Sequence, residues 1–170
     1  MKHFFKRLPV FGRRLGTALL YAGVTTALPA FADKPAWKPM AELLVVSIGE
    51  ADPAGMVHVI NRCTALNITM AGMLSEYSPD VSAYYEAEAL SMMQQGVLID
   101  SRIKEEASGE EIDISSLSSA TIDRVKTHLS GYSDWMDENM ASGGTYFNDE
   151  IELEMDSCNL ASKFINGMND

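Results

Sequence analysis

Apolar side chains recur every three or four residues through most of the chain, and this spacing constrains the fold more than any other feature. It places the apolar side chains of each segment on one face of a helix. In the first long segment the face contains Val59, Cys63, Leu66, Met70, Met73 and Tyr77. Only residues 146–154 alternate in the way of a strand, which leaves a short hairpin open. The pattern predicts an all-α fold.

Local capping signals divide the chain into separate helices. Pro53 follows an aspartate and Pro79 follows a serine, and a capping side chain before proline is typical of a helix start. A glycine pair at 143–144 is a typical helix end. The signals predict long helices over about 53–77, 79–106, 118–142 and 148–165, with a helix-permissive apolar segment at 40–48 and a loop at 107–116.

The chain has two cysteines, Cys63 and Cys158, separated by 95 positions. Each falls on an inferred apolar face, one on the helix that starts at Pro53 and one on the last helix. Two cysteines in an oxidising compartment most often pair, although two buried free thiols remain the alternative. A bond between them would tie the early and late helices together. We therefore predict a four- to five-helix bundle closed by one disulfide.

Residues 1–32 have the composition of an export signal. Five basic residues precede an apolar run that is too short to span a bilayer, and Ala30 and Ala32 are the small side chains that signal peptidase needs. Cleavage is expected before Asp33, with an uncleaved anchor as the alternative. The predicted mature protein is one helical domain over 33–170, with 33–39 as an extended leader. It is expected in the periplasm or secreted. The arginine pair at 13–14 leaves open whether export follows the ordinary route for unfolded chains or the twin-arginine route.

The predicted mature protein is strongly acidic. Removing five basic residues from a chain of net charge −11 leaves −16. Such a charge repels phosphate backbones and anionic lipid headgroups, so neither nucleic acid nor a membrane is expected as a partner. The acidity favours solubility or attraction to a protein with a basic surface. Five of the acidic residues lie in the predicted loop or just before it, between Glu105 and Asp113.

Methionine is unusually frequent, with ten residues left after removal of the signal. Most of them fall on the predicted inward faces, where flexible thioethers fill irregular gaps in a core. The same side chains also line adaptable peptide-binding grooves, and thioethers suit Cu(I). A candidate apolar groove is formed by Met70, Met73, Met92, Met136 and Met140.

The mature chain offers few residues for catalysis. Its two histidines, His58 and His128, occur without a Glu-x-x-His pair, which argues against a di-iron site and against zinc catalysis. Ser101 and Lys104 have the spacing of penicillin-recognising enzymes, but the companion motifs are absent. No catalytic residue, cofactor or metal ligand is predicted.

These observations favour a non-enzymatic periplasmic bundle that binds another protein. Its action would be chaperone-like or immunity/inhibitor-like, because both classes include small exported helical domains. The alternative is a small periplasmic enzyme or a copper carrier. The sequence does not indicate the oligomeric state or the identity of the partner.

Overall fold

A computed structural model describes residues 37–167, and this part of the chain contains five helices and no strand. The all-α prediction is confirmed, and the hairpin left open at 146–154 does not form. The proposed cleavage residues Ala30, Ala32 and Asp33 lie outside the described residues. The helices are α1 (Met40–Gly49), α2 (Pro53–Leu74), α3 (Pro79–Ser108), α4 (Ile114–Gly143) and α5 (Asp149–Gly167).

Aspartate side chains cap the starts of α2 and α4, whereas the side chain of Ser78 makes no capping hydrogen bond at the start of α3. At the start of α2, the Asp52 carboxylate accepts a hydrogen bond from the Ala54 amide at 3.1 Å. The start of α4 lies several residues before the predicted position of 118 or 119. The Asp113 carboxylate accepts bonds from the amides of Ser115 (3.0 Å) and Ser116 (3.2 Å), so it satisfies two donors of the first turn. The loop between α3 and α4 is therefore shorter than predicted.

Helix α2 lies at the centre of the bundle and packs against each of the other four helices. Helix α2 approaches α3 closely at Gly96, where a Cβ atom would lie 2.9 Å from Cγ2 of Ile60. Only a residue without a side chain fits that distance without a shift of Ile60.

The disulfide between Cys63 and Cys158 is present, with 5.3 Å between the two Cα atoms. Both cysteines are buried, on α2 and α5 respectively. The predicted link between early and late helices is thereby confirmed. Around it lies a core drawn from all five helices, which includes Met40, Leu44, Val59, Leu66, Met92, Val125, Tyr132, Met136, Ile151 and Ile165.

Several large apolar side chains remain on the surface. Leu153 and Leu160 of α5 are 61% and 56% exposed, so one apolar face of this helix is not covered by its neighbours. Within residues 37–167, no helix combines the length and the apolar composition that crossing a membrane requires.

Candidate functional site

A buried ion pair connects the centre of the bundle to its last helix. Arg62 of α2 donates from Nη2 to Oε2 of Glu154 in α5 at 2.6 Å, with side-chain exposures of only 1% and 7%. Arginine and glutamate are almost never buried to this degree unless they are paired. The two charges neutralise each other inside the fold.

The Glu154 carboxylate also holds two other elements in place. Its Oε2 accepts a hydrogen bond from the Tyr132 hydroxyl of α4 at 2.7 Å, and its Oε1 accepts one from the Met40 amide at 2.8 Å. Because that amide belongs to the first turn of α1, the carboxylate lies where the helix dipole favours negative charge. Burial, and then the nearby Glu154 charge, raises the pKa of Tyr132, so its hydroxyl stays a proton donor.

Residues 37 and 38, which precede α1, contact this network. The backbone oxygen of Lys38 accepts a hydrogen bond from Nη1 of Arg62 at 2.7 Å. The Trp37 ring lies 4.8 Å from the Arg62 guanidinium and contacts the Tyr132 ring edge-on at 4.9 Å. The described end of the predicted leader therefore lies against α2 and α4.

The two histidines of the predicted mature chain meet beside Trp37. The rings of His58 in α2 and His128 in α4 are 5.2 Å apart between centroids and inclined at 74°. His58 is exposed, His128 is half-buried, and the Trp37 ring contacts His128 at 5.5 Å. The Nδ1 atom of His128 is buried and has no hydrogen-bond partner among the described residues.

Both imidazoles are held in the neutral form. Burial, and then to a smaller extent the charges of His58 and Arg62, lower the pKa of His128 to about 4. The pKa of His58 is also lowered, first by burial and then by Arg62. At neutral pH each ring therefore has a nitrogen lone pair available, either for a proton or for a metal ion. The described residues include no cluster of three or more histidine, cysteine or acidic side chains suited to a metal.

A second candidate site is an apolar groove on the outside of the bundle, between α3 and α4. Its volume is about 360 Å³. Leu98, Ile114 and Ile122 are 48%, 45% and 38% exposed there, although each has a large apolar side chain. We call this site the α3–α4 groove. It is lined by Met93, Gln94, Val97, Leu98, Ile114, Ser118 and Ile122.

The α3–α4 groove ends at an acidic segment. Ile114 directly follows Asp113, and residues 105–113 contain five carboxylates and no basic side chain. Two basic side chains of α3 and α4 are already paired, since Asp100 forms ion pairs with Arg124 at 2.7 Å and Lys104 at 3.6 Å. The groove therefore combines apolar walls with a negative rim at one end.

The five methionines singled out from the sequence do not share one surface. Met70, Met92 and Met136 are buried in the core, Met73 is partly buried and Met140 is 39% exposed. Met73 and Met136 line a shallow cleft of about 330 Å³ with Thr69, Tyr77, Ser133, Asp137 and Tyr146. A binding role for these methionines stays a prediction.

Sequence reasoning did not identify the Arg62–Glu154 pair. A signal was available, because Arg62 precedes Cys63 and Glu154 lies four residues before Cys158, on the same helical face. Once the two cysteines are bonded, the helix segments that contain these two charges lie side by side, although the bond alone does not fix where the two side chains point. The contact of His58 with His128 has no comparable signal, since the two residues are 70 positions apart.

Comparisons with protein-family models, with curated proteins and with solved structures found no match to this chain.

Proposed function

We propose that this chain is an exported, non-enzymatic protein-binding module that acts in the periplasm. Its docking site is the α3–α4 groove, and its partner presents an amphipathic helix with basic residues beside the apolar ones. The observation that carries the proposal is the exposure of Leu98, Ile114 and Ile122 along one groove. Exposed apolar side chains grouped in this way are typical of interaction sites.

The charge of the partner is inferred from complementarity. Five carboxylates between residues 105 and 113 lie beside the groove, and the predicted mature chain has a net charge of −16 after loss of five basic residues. Opposite charges at the rim of an interface accelerate association and disfavour partners of the same charge. An amphipathic helix laid in an apolar groove is a recurring mode of recognition.

Export is supported by the chemistry of the cysteines and of the first 32 residues. A disulfide such as Cys63–Cys158 persists in oxidising compartments, and the periplasm is one of them. Intact mass of the exported protein tests this part of the proposal. We expect a chain that begins at Asp33, whereas a membrane-bound chain that retains Met1 would contradict export into the periplasm.

Affinity capture from a periplasmic extract tests the docking site. We expect the native protein to retain a partner that the triple variant Leu98→Ser, Ile114→Ser, Ile122→Ser does not retain. A matched control replaces Leu153 and Leu160, which are as exposed but lie on α5.

The control should retain the same partner, and association with the native protein should slow as salt is raised to physiological strength, where the Debye length is about 8 Å. A partner that binds the triple variant as well as the native protein would contradict the assignment of the groove. An association rate that is independent of salt would contradict the basic partner.

A further inference from the structure

We propose that His58 and His128 form a binding site for one divalent transition-metal ion of the kind that imidazole favours, such as Cu²⁺ or Zn²⁺. The site lies between α2 and α4, next to Trp37. Neither histidine lines the α3–α4 groove, and the proposed site contains no methionine. It does not depend on the proposed protein-binding function.

The spacing of the two rings suits a shared ion. Two imidazoles bound to one tetrahedral metal, with metal–nitrogen distances of about 2.0–2.1 Å, have ring centroids roughly 5 Å apart. The observed separation is 5.2 Å. The rings meet edge-to-face, so one of them must turn for both nitrogens to face the ion. His58 is exposed and is free to turn about its side-chain torsions without disturbing the core.

An unpaired nitrogen is the second observation. Nδ1 of His128 is buried and forms no hydrogen bond with any described residue. Buried polar atoms almost always have a partner, and an exception calls for a physical explanation. A metal ion between the rings that binds Nδ1 directly would supply such a partner.

The electrostatic surroundings permit a cation. Arg62 is the basic residue of α2 nearest to the histidines, and its ion pair with Glu154 at 2.6 Å reduces the repulsion that its charge exerts on a cation at this site. The strongly negative net charge of the protein also attracts cations over longer distances.

Two nitrogen ligands select a class of ion. Imidazole suits zinc and copper, whereas calcium and magnesium require several oxygen ligands. Among divalent first-row ions, Cu²⁺ binds a given nitrogen site most tightly. With two protein ligands, the remaining coordination positions are left to water, so the ion is held reversibly.

Titration of the exported protein with Cu²⁺ tests the site. Calorimetry is expected to show one site per chain, and electron paramagnetic resonance is expected to show coupling to nitrogen. His58→Gln and His128→Gln should each weaken binding at least tenfold, and excess Mg²⁺ should not displace the copper. Because the protein is acidic, Glu110→Gln with Glu111→Gln serves as the control and should bind within twofold of the native protein.

Several results would overturn the proposal. Binding by His58→Gln within twofold of the native protein would do so, as would a resonance spectrum with oxygen ligands alone. Equal loss in the Glu110 and Glu111 control would place the copper on surface carboxylates. His58 is exposed, so its variant is expected to fold and decides the test even if the His128 variant does not. Circular dichroism verifies folding in each case.

Discussion

The two candidate regions of this bundle use polar and apolar groups in opposite ways. Around Arg62 and Glu154, charges are buried and each carboxylate oxygen has a partner within 2.8 Å. In the α3–α4 groove, apolar side chains such as Leu98 remain in water, at 48% exposure. The first arrangement joins α1, α2, α4 and α5, whereas the second leaves surface uncovered between two helices.

This difference indicates that the Arg62–Glu154 network contributes to stability and that the α3–α4 groove is suited to binding. A buried charge that loses its partner is destabilising, so the first region must be complete for the chain to fold. An exposed apolar side chain contributes little to folding, and its burial by another surface lowers the free energy of the complex. The two regions should therefore respond differently to substitution.

The largest difference is expected at Glu154. Glu154→Ala leaves the Arg62 guanidinium buried without a counter-charge and should lower the free energy of unfolding by about 3–5 kcal/mol. The control is Glu152→Ala, on the exposed face of the same helix, which should change it by less than about 0.5 kcal/mol. Urea unfolding of both variants measures the difference. Equal stability of the two would show that the ion pair does not hold the fold.

The disulfide should have the next largest effect. Cys63→Ser with Cys158→Ser should lower the free energy of unfolding by about 2–4 kcal/mol, chiefly because the unfolded chain is less constrained. Most of the helical content should remain in circular dichroism spectra. Because the bond joins α2 to α5, partner binding at the α3–α4 groove should persist below the melting temperature. Loss of that binding in a folded variant would show that the two regions are coupled.

A smaller effect is expected from pH. Since burial lowers the pKa of His128 to about 4 from an ordinary value of 6.5, the unfolded chain binds the proton first as the pH falls. Above pH 6.5 the group is neutral in both states and does not lower the free energy of unfolding. Between pH 6.5 and 4 the unfolded chain binds a proton that the folded chain does not, so the free energy of unfolding falls. Between pH 7 and 5 the loss should be about 1 kcal/mol after allowance for solvent screening at a half-buried site.

The measurement is a series of urea unfolding curves from pH 7 to 5, compared with His128→Gln. The variant should show a shallower decline, because it removes the group whose protonation differs between the two states. His58 and Arg62 face this histidine from α2 and are unchanged in the variant. An identical pH dependence in both proteins would contradict the lowered pKa.

The smallest effect on stability is expected in the groove. Leu98→Ser, an exposed substitution, should change the free energy of unfolding by at most about 0.5 kcal/mol. In contrast, Leu66→Ala, at 1% exposure in the core, should lower it by about 2–5 kcal/mol. Thermal unfolding of the two variants makes the comparison direct. A large loss from Leu98→Ser would mean that the groove is part of the folding core.

Some local features were predicted correctly from the sequence. The helix starts at Pro53 and Pro79 were predicted because proline in the first turn is a local signal, although of the two preceding residues only Asp52, and not Ser78, forms a side-chain cap. The start of α4 was misplaced because Asp113, with a side chain that caps two amides, was assigned to the loop. The exposure of Leu153 and Leu160 could not be predicted in this way, since helical spacing alone does not say which face a neighbour covers.

The sequence by itself determined the helical class and most of the helix starts, and it favoured the pairing of Cys63 with Cys158. These follow from spacing, from capping and from the scarcity of cysteine, all of which are properties of short segments or of composition. Only the tertiary structure decided that Arg62 is buried against Glu154 and that His58 meets His128. Such contacts join residues 92 and 70 positions apart, and their energies depend on which helix faces turn toward one another, which no local pattern encodes.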